Sequence, residues 1–244
     1  MKKLFVLILS IVAAFATATL LTACEAKVDK DGNVTITDDN NNNDHDNNQQ
    51  ERVELTAADI YSKVNPSVVF ILLEKKGAYV SGSGFFIDKN GTLVTNYHVI
   101  KDTFAGVIQL CDGTVENIVN VLGYDEKLDI AILETTAKNP PAVTKSNEQI
   151  RVGENVYAIG YPEAFILGAS SSTFTTGMVS MNRSVNGYNY IQSTVDITNG
   201  NSGGVLINKY GEAVGITTAG INLEKIDYMN LSIPIQRVDT IQRN

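Results

Sequence analysis

From residue 68 to residue 235 the sequence is a series of short segments that are rich in β-branched residues and are separated by Gly, Asn and Asp. This pattern is typical of an all-β domain. No strand–helix–strand alternation appears, which argues against the doubly wound α/β folds. The expected strands are Val68–Leu73, Gly84–Ile87, Thr92–Thr95, Val115–Leu122, Ile130–Leu133, Val156–Ile159, Thr173–Met181, Tyr190–Val195, Val205–Ile207, Ala213–Thr218 and Leu231–Ile235.

Three other segments complete the expected domain, which we place at residues 53–244. Leu55–Val64 has a short amphipathic helical pattern, with Thr56 as a candidate N-cap and Pro66 just beyond its end. Lys138–Ala142 contains two prolines and is a natural connection between two barrels, one over about 66–138 and the other over about 143–236. Pro234–Gln242 is expected to form a closing helix.

The N-terminus has the pattern of an export signal. Lys2 and Lys3 precede an apolar segment, and the sequence Leu-Thr-Ala-Cys ends at Cys24. This ending resembles a bacterial lipobox, which implies a signal peptide over residues 1–23 and lipidation of Cys24. The chain would then be extracytoplasmic and anchored to the bacterial cell membrane, on the cell surface or the periplasmic side. An uncleaved anchor helix and a plain secretory signal are the alternatives.

An Asn/Asp-rich segment follows, and we expect residues 24–52 to be a disordered tether. Residues 38–50 contain no apolar side chain that could be buried.

The formal net charge of the chain is −8, and loss of Lys2 and Lys3 with the signal makes it more negative by two. Nucleic acid is therefore not an expected partner. With Cys24 lipidated, Cys111 is the remaining thiol, and we expect it to be a small buried residue rather than a nucleophile.

The segment from Gly200 to Gly204, Gly-Asn-Ser-Gly-Gly, indicates a serine nucleophile at Ser202. These letters also fit the nucleophile elbow of α/β-hydrolases, in which the catalytic histidine follows the serine. Both histidines of this chain, His45 and His98, precede Ser202. The remaining possibility is the order His, Asp, Ser along the chain, which is the order found in the chymotrypsin-like double barrels. His45 lies in the expected tether, so His98 is the candidate base.

Two aspartates compete for the third position of such a triad. Asp129 opens an apolar strand, where a partly buried carboxylate needs a partner. Asp125 lies in the segment Gly-Tyr-Asp-Glu-Lys, which is typical of a solvated turn. Burial therefore favours Asp129 over Asp125.

Five segments together resemble the protease domain of the HtrA (Deg) trypsin-like serine proteases over about residues 55–240. They are Gly82–Phe85, Thr95–Val99, Asp129–Leu133, Val156–Gly160 and Gly200–Gly204. The resemblance implies two perpendicular six-stranded antiparallel β-barrels with short terminal helices and the triad in the cleft between them. It also implies a serine endopeptidase that acts through an acyl-enzyme on exported or unfolded proteins at the cell envelope.

In the roles that the resemblance implies, Ser202 attacks the scissile carbonyl, His98 transfers the proton and Asp129 orients His98. The oxyanion hole is expected from the backbone of Gly200, Asn201 and Ser202. Asn201 stands where chymotrypsin-like zymogens carry an aspartate, so activation by cleavage of a pro-peptide is not expected. No cofactor and no metal are expected.

The substrate pocket and the assembly are less constrained by the sequence. Ile197 falls where HtrA-like enzymes line a small apolar S1 pocket. Asp196 falls at the position where trypsin carries the residue that selects substrates with basic side chains. Thr217 and Thr218 complete the candidate pocket. Ile197 is preferred because alternation along the strand sends the side chains of Ile197 and Asp196 to opposite sides.

The resemblance implies polypeptide substrates and a homotrimer, and with the chain ending at Asn244 no PDZ domain is expected. The alternative function is a lipid-anchored binding or chaperone-like module with a latent triad.

Overall fold

The computed structural model of the chain describes residues 25–28, 34–37, 52–162, 171–185, 187–198, 200–218 and 230–243. The chain divides into two units, residues 1–50 and residues 51–244. In the first unit, β1 (Glu25–Val28) and β2 (Val34–Thr37) pair antiparallel, with Glu25 opposite Thr37. This hairpin lies inside the segment expected to be a disordered tether, and the β-branched residues of β2 after an Asp-Gly pair favour it. The expected signal peptide, Cys24, His45 and residues 38–50 lie outside the described residues.

The second unit begins with a helix that packs its apolar face inward. Helix α1 (Ala57–Val64) has Thr56 as its N-cap, whose side chain accepts a hydrogen bond from the N–H of Asp59 at 3.2 Å. The helix passes into a 3₁₀ turn over Asn65–Ser67, where Pro66 prevents its continuation. The expected helix and its cap are therefore confirmed.

Barrel one is a closed sheet of six antiparallel strands in the order β3-β4-β5-β8-β7-β6. Its strands are β3 (Val68–Lys75), β4 (Ala78–Phe86), β5 (Thr92–Thr95), β6 (Thr103–Gln109), β7 (Val115–Asp125) and β8 (Ile130–Thr135). A single-turn helix, α2 (Tyr97–Ile100), lies between β5 and β6. It carries His98.

Barrel two is a second closed sheet of six antiparallel strands, in the order β10-β11-β14-β13-β12-β9. Its strands are β9 (Asn155–Gly160), β10 (Thr173–Val185), β11 (Tyr188–Ser193), β12 (Val205–Asn208), β13 (Ala213–Thr218) and β14 (Leu231–Pro234). The long connection from β8 to β9 contains the two prolines that the sequence placed between the barrels. The fold is therefore the expected chymotrypsin-like double barrel.

One apolar cluster runs through both barrels and holds them together. Barrel one contributes Val68, Phe70, Phe85, Val94, Ile130 and Ile132, and barrel two contributes Ile159, Tyr161, Val205, Ile207, Ile216 and Ile233. Smaller clusters fill the remaining interior of each barrel. The candidate residues His98 and Asp129 belong to barrel one and Ser202 belongs to barrel two. Their relative positions therefore depend on the packing of one barrel against the other.

Three details differ from the sequence-based expectations. Strand β6 was not among the expected strands, although the segment around Cys111 was expected to be a strand running into a turn. Gly106 interrupts its β-branched pattern and is needed there, since a Cβ would lie 2.9 Å from the carbonyl oxygen of Leu72. Cys111 is exposed rather than buried, because it lies in the turn that follows β6. The closing segment Ile235–Thr240 is a 3₁₀ helix.

Across the described ranges, none of the helices is both long enough and apolar enough to pass through a membrane.

Candidate active site

Asp129 lies at the end of the β7–β8 connection in an uncommon backbone conformation. Its φ is +58°, in the left-handed region that aspartate tolerates better than most residues. The side-chain amide of Asn96 donates to the carbonyl oxygen of Asp129 at 2.9 Å. This bond joins the end of β5 to the start of β8 and holds the carboxylate under helix α2.

His98 and Asp129 are in direct contact. The Nδ1 atom of His98 lies 2.8 Å from Oδ2 of Asp129, and the backbone N–H of His98 donates to Oδ1 at 2.8 Å. The two carboxylate oxygens therefore bind the ring and the backbone of the same residue, which fixes the imidazole in position. The His98 side chain is 41% exposed and that of Asp129 is 18% exposed. The imidazole thus keeps an open side, while the carboxylate lies behind it.

The competing carboxylate belongs to a turn. Oδ1 of Asp125 accepts the backbone N–H groups of Lys127 and Leu128 at 2.8 and 2.9 Å. An aspartate that bonds the backbone two and three residues ahead stabilises the local turn. The structure therefore brings Asp129 to His98 and leaves Asp125 at the end of β7.

Ser202 lies in a tight loop of barrel two, between β11 and β12. Gly200 and Gly203 have φ values of +95° and +84°, a left-handed conformation that glycine adopts without strain. The N–H of Gly204 donates to the carbonyl oxygen of Asn201 at 2.9 Å, which closes the turn around Ser202. Ser202 itself is buried, and its carbonyl oxygen accepts the N–H of Ser83 from barrel one at 2.9 Å.

The backbone of Asn201 corrects one part of the expected oxyanion hole. Its N–H donates to the carbonyl oxygen of Thr198 at 3.0 Å, within the same loop. A donor that is already bonded inside the loop cannot also point at a substrate oxygen. The loop therefore leaves Gly200 and Ser202, of the three expected residues, as candidate donors.

Two adjacent threonines on β13 bind both halves of the site. The hydroxyl of Thr217 donates to the carbonyl oxygen of Asn201 at 2.5 Å, and its own carbonyl accepts the N–H of Gly203 at 2.9 Å. The hydroxyl of Thr218 donates to Oδ2 of Asp129 at 3.2 Å. Because neighbouring strand residues point to opposite faces, one residue supports the serine loop and the next supports the carboxylate. These threonines were expected in the substrate pocket, and the structure shows these contacts of their hydroxyls.

The two residues expected to decide the substrate pocket differ in exposure. Asp196 is exposed, and its backbone carbonyl accepts the hydroxyl of Thr175 at 3.2 Å. Ile197 is half-buried. The two side chains therefore differ in how far they are buried.

Two residues beside the triad were not singled out from the sequence. Ser83 and Thr95 are completely buried, and the hydroxyl of Thr95 donates to the carbonyl oxygen of Ser83 at 2.7 Å. Both belong to the motifs Gly82–Phe85 and Thr95–Val99, in which the sequence assigns a role to His98 alone. The signal for them is a small hydroxyl residue inside an otherwise apolar strand, where a polar group needs a partner.

The charge of Asp129 acts on the hydroxyl of Tyr190. Burial raises the pKa of its hydroxyl, and the negative charge of Asp129 raises it further. Tyr190 therefore stays neutral next to the carboxylate.

Comparison with known proteins places this geometry in a family. A family model described as a trypsin-like peptidase domain matches residues 82–216. The chain is 34% identical to serine protease HTRA1 of Xenopus laevis over 178 residues, which is 66% of this chain and 38% of that one. It is 35% identical to the serine endoprotease DegS of Haemophilus influenzae over 169 residues, which is 66% of this chain and 49% of that one. The chain thus spans less than half the length of these relatives.

Solved structures agree with the sequence comparison. A serine endoprotease from Yersinia pestis has a TM-score of 0.66 and 28% identity, covering 77% of this chain and 65% of that one. The HtrA-type protease AlgW with a tripeptide has a TM-score of 0.67 and 29% identity, covering 76% of this chain and 62% of that one. The chain belongs to the family of trypsin-like peptidase domains, and over that domain it is similar to HtrA-type serine proteases.

Proposed function

We propose that this chain hydrolyses peptide bonds through Ser202, His98 and Asp129. The observation that carries the proposal is the bond of 2.8 Å between Nδ1 of His98 and the Asp129 carboxylate. With Nδ1 held by the carboxylate, the other ring nitrogen is the one that exchanges a proton with a serine hydroxyl. The membership of the trypsin-like peptidase domain family and the similarity to HtrA-type proteases support the same assignment.

In the proposed mechanism, His98 removes the proton from Ser202 as its oxygen attacks the scissile carbonyl. The tetrahedral intermediate collapses when His98 protonates the leaving amine, and water then hydrolyses the acyl-enzyme by the same proton transfers. Asp129 stabilises the imidazolium and holds the tautomer. The backbone N–H groups of Gly200 and Ser202 would bind the oxyanion, each contributing about 3 kcal/mol to the transition state.

The decisive experiment combines cleavage with covalent labelling. The wild-type chain is expected to degrade an unfolded protein and to react with a fluorophosphonate at Ser202, and Ser202→Ala should lose both properties. Ser193→Ala is the matched control, since Ser193 is a buried serine on β11 whose hydroxyl has no hydrogen-bond partner among the described residues. Unchanged cleavage by Ser202→Ala would contradict the proposal. Persistent absence of labelling and cleavage in the wild type would favour the alternative of an anchored binding module.

We further propose a preference for small apolar residues at the cleavage site. The half-buried Ile197 and the exposed Asp196 support an apolar pocket rather than one that selects basic residues. Mass spectrometry of the products from a denatured protein tests this directly. Cleavage concentrated after Lys and Arg, and lost in Asp196→Asn, would contradict it.

We also propose that the protein acts outside the cytoplasm as a lipid-anchored homotrimer. The export signal and the lipobox-like ending at Cys24 support the location. A relative from Chlamydia muridarum, 34% identical over 146 residues, is described as a probable periplasmic endoprotease. Labelling with a radioactive fatty acid should require Cys24 and be absent in Cys24→Ala.

The proposed homotrimer is tested separately: sedimentation equilibrium of the domain should give three times the monomer mass.

A further inference from the structure

Ser83, on strand β4 of barrel one, lies directly against the serine loop of barrel two. It is completely buried, and its hydroxyl donates to the carbonyl oxygen of Gly200 at 2.7 Å. Its backbone N–H donates to the carbonyl oxygen of Ser202 at 2.9 Å. One residue of barrel one therefore binds the loop two residues before the nucleophile and at the nucleophile itself.

The direction of the Ser83 hydroxyl is fixed by its second partner. The N–H of Tyr161, just after β9, donates to Oγ of Ser83 at 2.8 Å. A hydroxyl has a single proton, and the carbonyl oxygen of Gly200 can only accept. The proton of Ser83 is therefore committed to Gly200.

The peptide group between Gly200 and Asn201 is held at both ends. Its carbonyl oxygen accepts from Ser83, and its N–H donates to the carbonyl oxygen of Thr198 at 3.0 Å. Gly200 has a φ of +95° and has no side chain to restrict rotation on either side. These two hydrogen bonds fix the plane of the peptide after Gly200, so the Gly200 N–H can change direction only by rotation about the N–Cα bond of Gly200.

The loop also packs too closely on Ser83 to move as a rigid body. A Cβ on Gly203 would lie 2.1 Å from the carbonyl oxygen of Ser83, and a Cβ on Gly160 would lie 3.1 Å from its hydroxyl oxygen. The Ser83 carbonyl is itself held by the hydroxyl of Thr95 at 2.7 Å. Rotation of single peptides at Gly200 is thus the remaining freedom of this part of the loop.

We propose that Ser83 is a positioning residue for the oxyanion site. Its hydroxyl fixes the peptide after Gly200, so that the Gly200 N–H points at the position where the substrate oxygen becomes negatively charged. Without the hydroxyl, the part-buried Gly200 carbonyl loses its donor, so the peptide after Gly200 can rotate and displace the Gly200 Cα together with the N–H attached to it. This inference rests on the proposed catalytic function of Ser202.

The test compares Ser83→Ala with Ser193→Ala, which makes the same change at a buried serine without a hydrogen-bond partner among the described residues. For a peptide substrate, kcat of Ser83→Ala should fall about 10²-fold, because a small misplacement of a group at the reacting centre costs about that much. KM should stay near the wild-type value. Ser193→Ala should retain the wild-type kcat.

A second measurement separates positioning from general loss of structure. A peptide boronate forms a tetrahedral adduct with the nucleophile, so its affinity for Ser83→Ala should fall by a factor similar to that in kcat. The same peptide without the boronate should bind as it does to the wild type. Equal kcat and equal boronate affinity in Ser83→Ala and Ser193→Ala would overturn the proposal.

Two further variants keep the outcome interpretable. If Ser83→Ala does not fold by circular dichroism, Ser83→Cys replaces it: its thiol is a weaker donor of similar size, and a kcat between those of the wild type and an inactive enzyme is expected. A wild-type kcat in that variant would then overturn the proposal. Ser202→Ala tests the proposed function itself, so activity retained there contradicts the catalytic role of Ser202 rather than the role of Ser83 alone.

Discussion

Asp129 shows how much of the site depends on one residue. Its carboxylate accepts from the ring of His98, the backbone of His98 and the hydroxyl of Thr218. Its own carbonyl is held by Asn96. The left-handed backbone at Asp129 lets all four contacts form at once, since it turns the chain sharply before β8 begins.

Replacement of this carboxylate tests its role with little change in shape. Asp129→Asn should lower kcat by about 10⁴-fold, because an amide in this position favours the wrong tautomer of the histidine. Asp125→Asn is the matched control and should leave kcat unchanged, since Asp125 bonds only its own turn in the described contacts. Steady-state hydrolysis of a peptide substrate measures both. Equal losses in the two variants would contradict the assignment of Asp129.

Tyr161 gives a prediction about alkaline stability. Its side chain is buried, its hydroxyl has no hydrogen-bond partner among the described residues, and burial raises its pKa from 10.0 to about 12. The folded protein thus holds this proton more tightly than the unfolded chain. The resulting stability is fully present below pH 10 and is lost as the pH rises through 12.

Tyr161→Phe should therefore lose less stability than the wild type between pH 10 and pH 12. At pH 8 the variant should be as stable as the wild type or slightly more stable, because it no longer buries an unpaired hydroxyl. Urea unfolding at several pH values measures the difference. The Tyr190 hydroxyl, whose pKa is also raised, contributes equally to both proteins. Identical pH profiles would contradict the prediction.

At the level of elements, the serine loop is shaped by the two strands that it touches. Strand β4 supplies Ser83 from barrel one, and β13 supplies Thr217 from barrel two. The loop therefore has little room, and glycine at position 203 reflects both the conformation and the contact. A Cβ there would lie 2.1 Å from a backbone oxygen.

Gly203→Ala should destabilise the fold and abolish activity. The left-handed conformation alone costs an L-residue about 1–3 kcal/mol, and the backbone contact adds to that cost. Gly153→Ala separates the two effects, because Gly153 has a φ of +89° with nothing within 4 Å of an added Cβ. Thermal unfolding should show a clearly larger loss for Gly203→Ala than for Gly153→Ala. Similar losses would mean that the loop can yield.

At the level of the whole molecule, residues 51–244 should unfold as one unit, since a single apolar cluster contains residues of both barrels. Phe70 of barrel one contacts Tyr161 beside barrel two, with ring centroids 6.2 Å apart. The proposed catalysis depends on this packing, because the barrels contribute different members of the candidate site.

Phe70→Ala should lower the free energy of unfolding by about 3–5 kcal/mol. Activity and tyrosine fluorescence should be lost at the same, lower denaturant concentration. Phe104→Ala is the control: Phe104 is 66% exposed on β6, and its loss should change stability by less than about 0.5 kcal/mol. Separate transitions for fluorescence and activity would show that the barrels unfold independently.

Local pattern was enough to predict much of this molecule. The rhythm of short β-branched segments predicted an all-β domain, and Thr56 with Pro66 predicted the first helix, because these signals act over a few residues. Strand β6 was missed for the same reason: Gly106 weakens its local pattern and is needed only because β3 lies so close. Cys111 was expected inside, but the turn after β6 carries it to the surface.

The sequence by itself determined the order of His98, Asp129 and Ser202 and the double barrel that accommodates it. Only the tertiary structure decided which groups support these residues. The bonds from Ser83 to Gly200 and from Thr218 to Asp129 join residues 117 and 89 positions apart, on different barrels. It also decided that the Asn201 N–H is used within its loop. Such contacts have no local signal, because closure of the barrels and their packing set the distances between residues far apart in the chain.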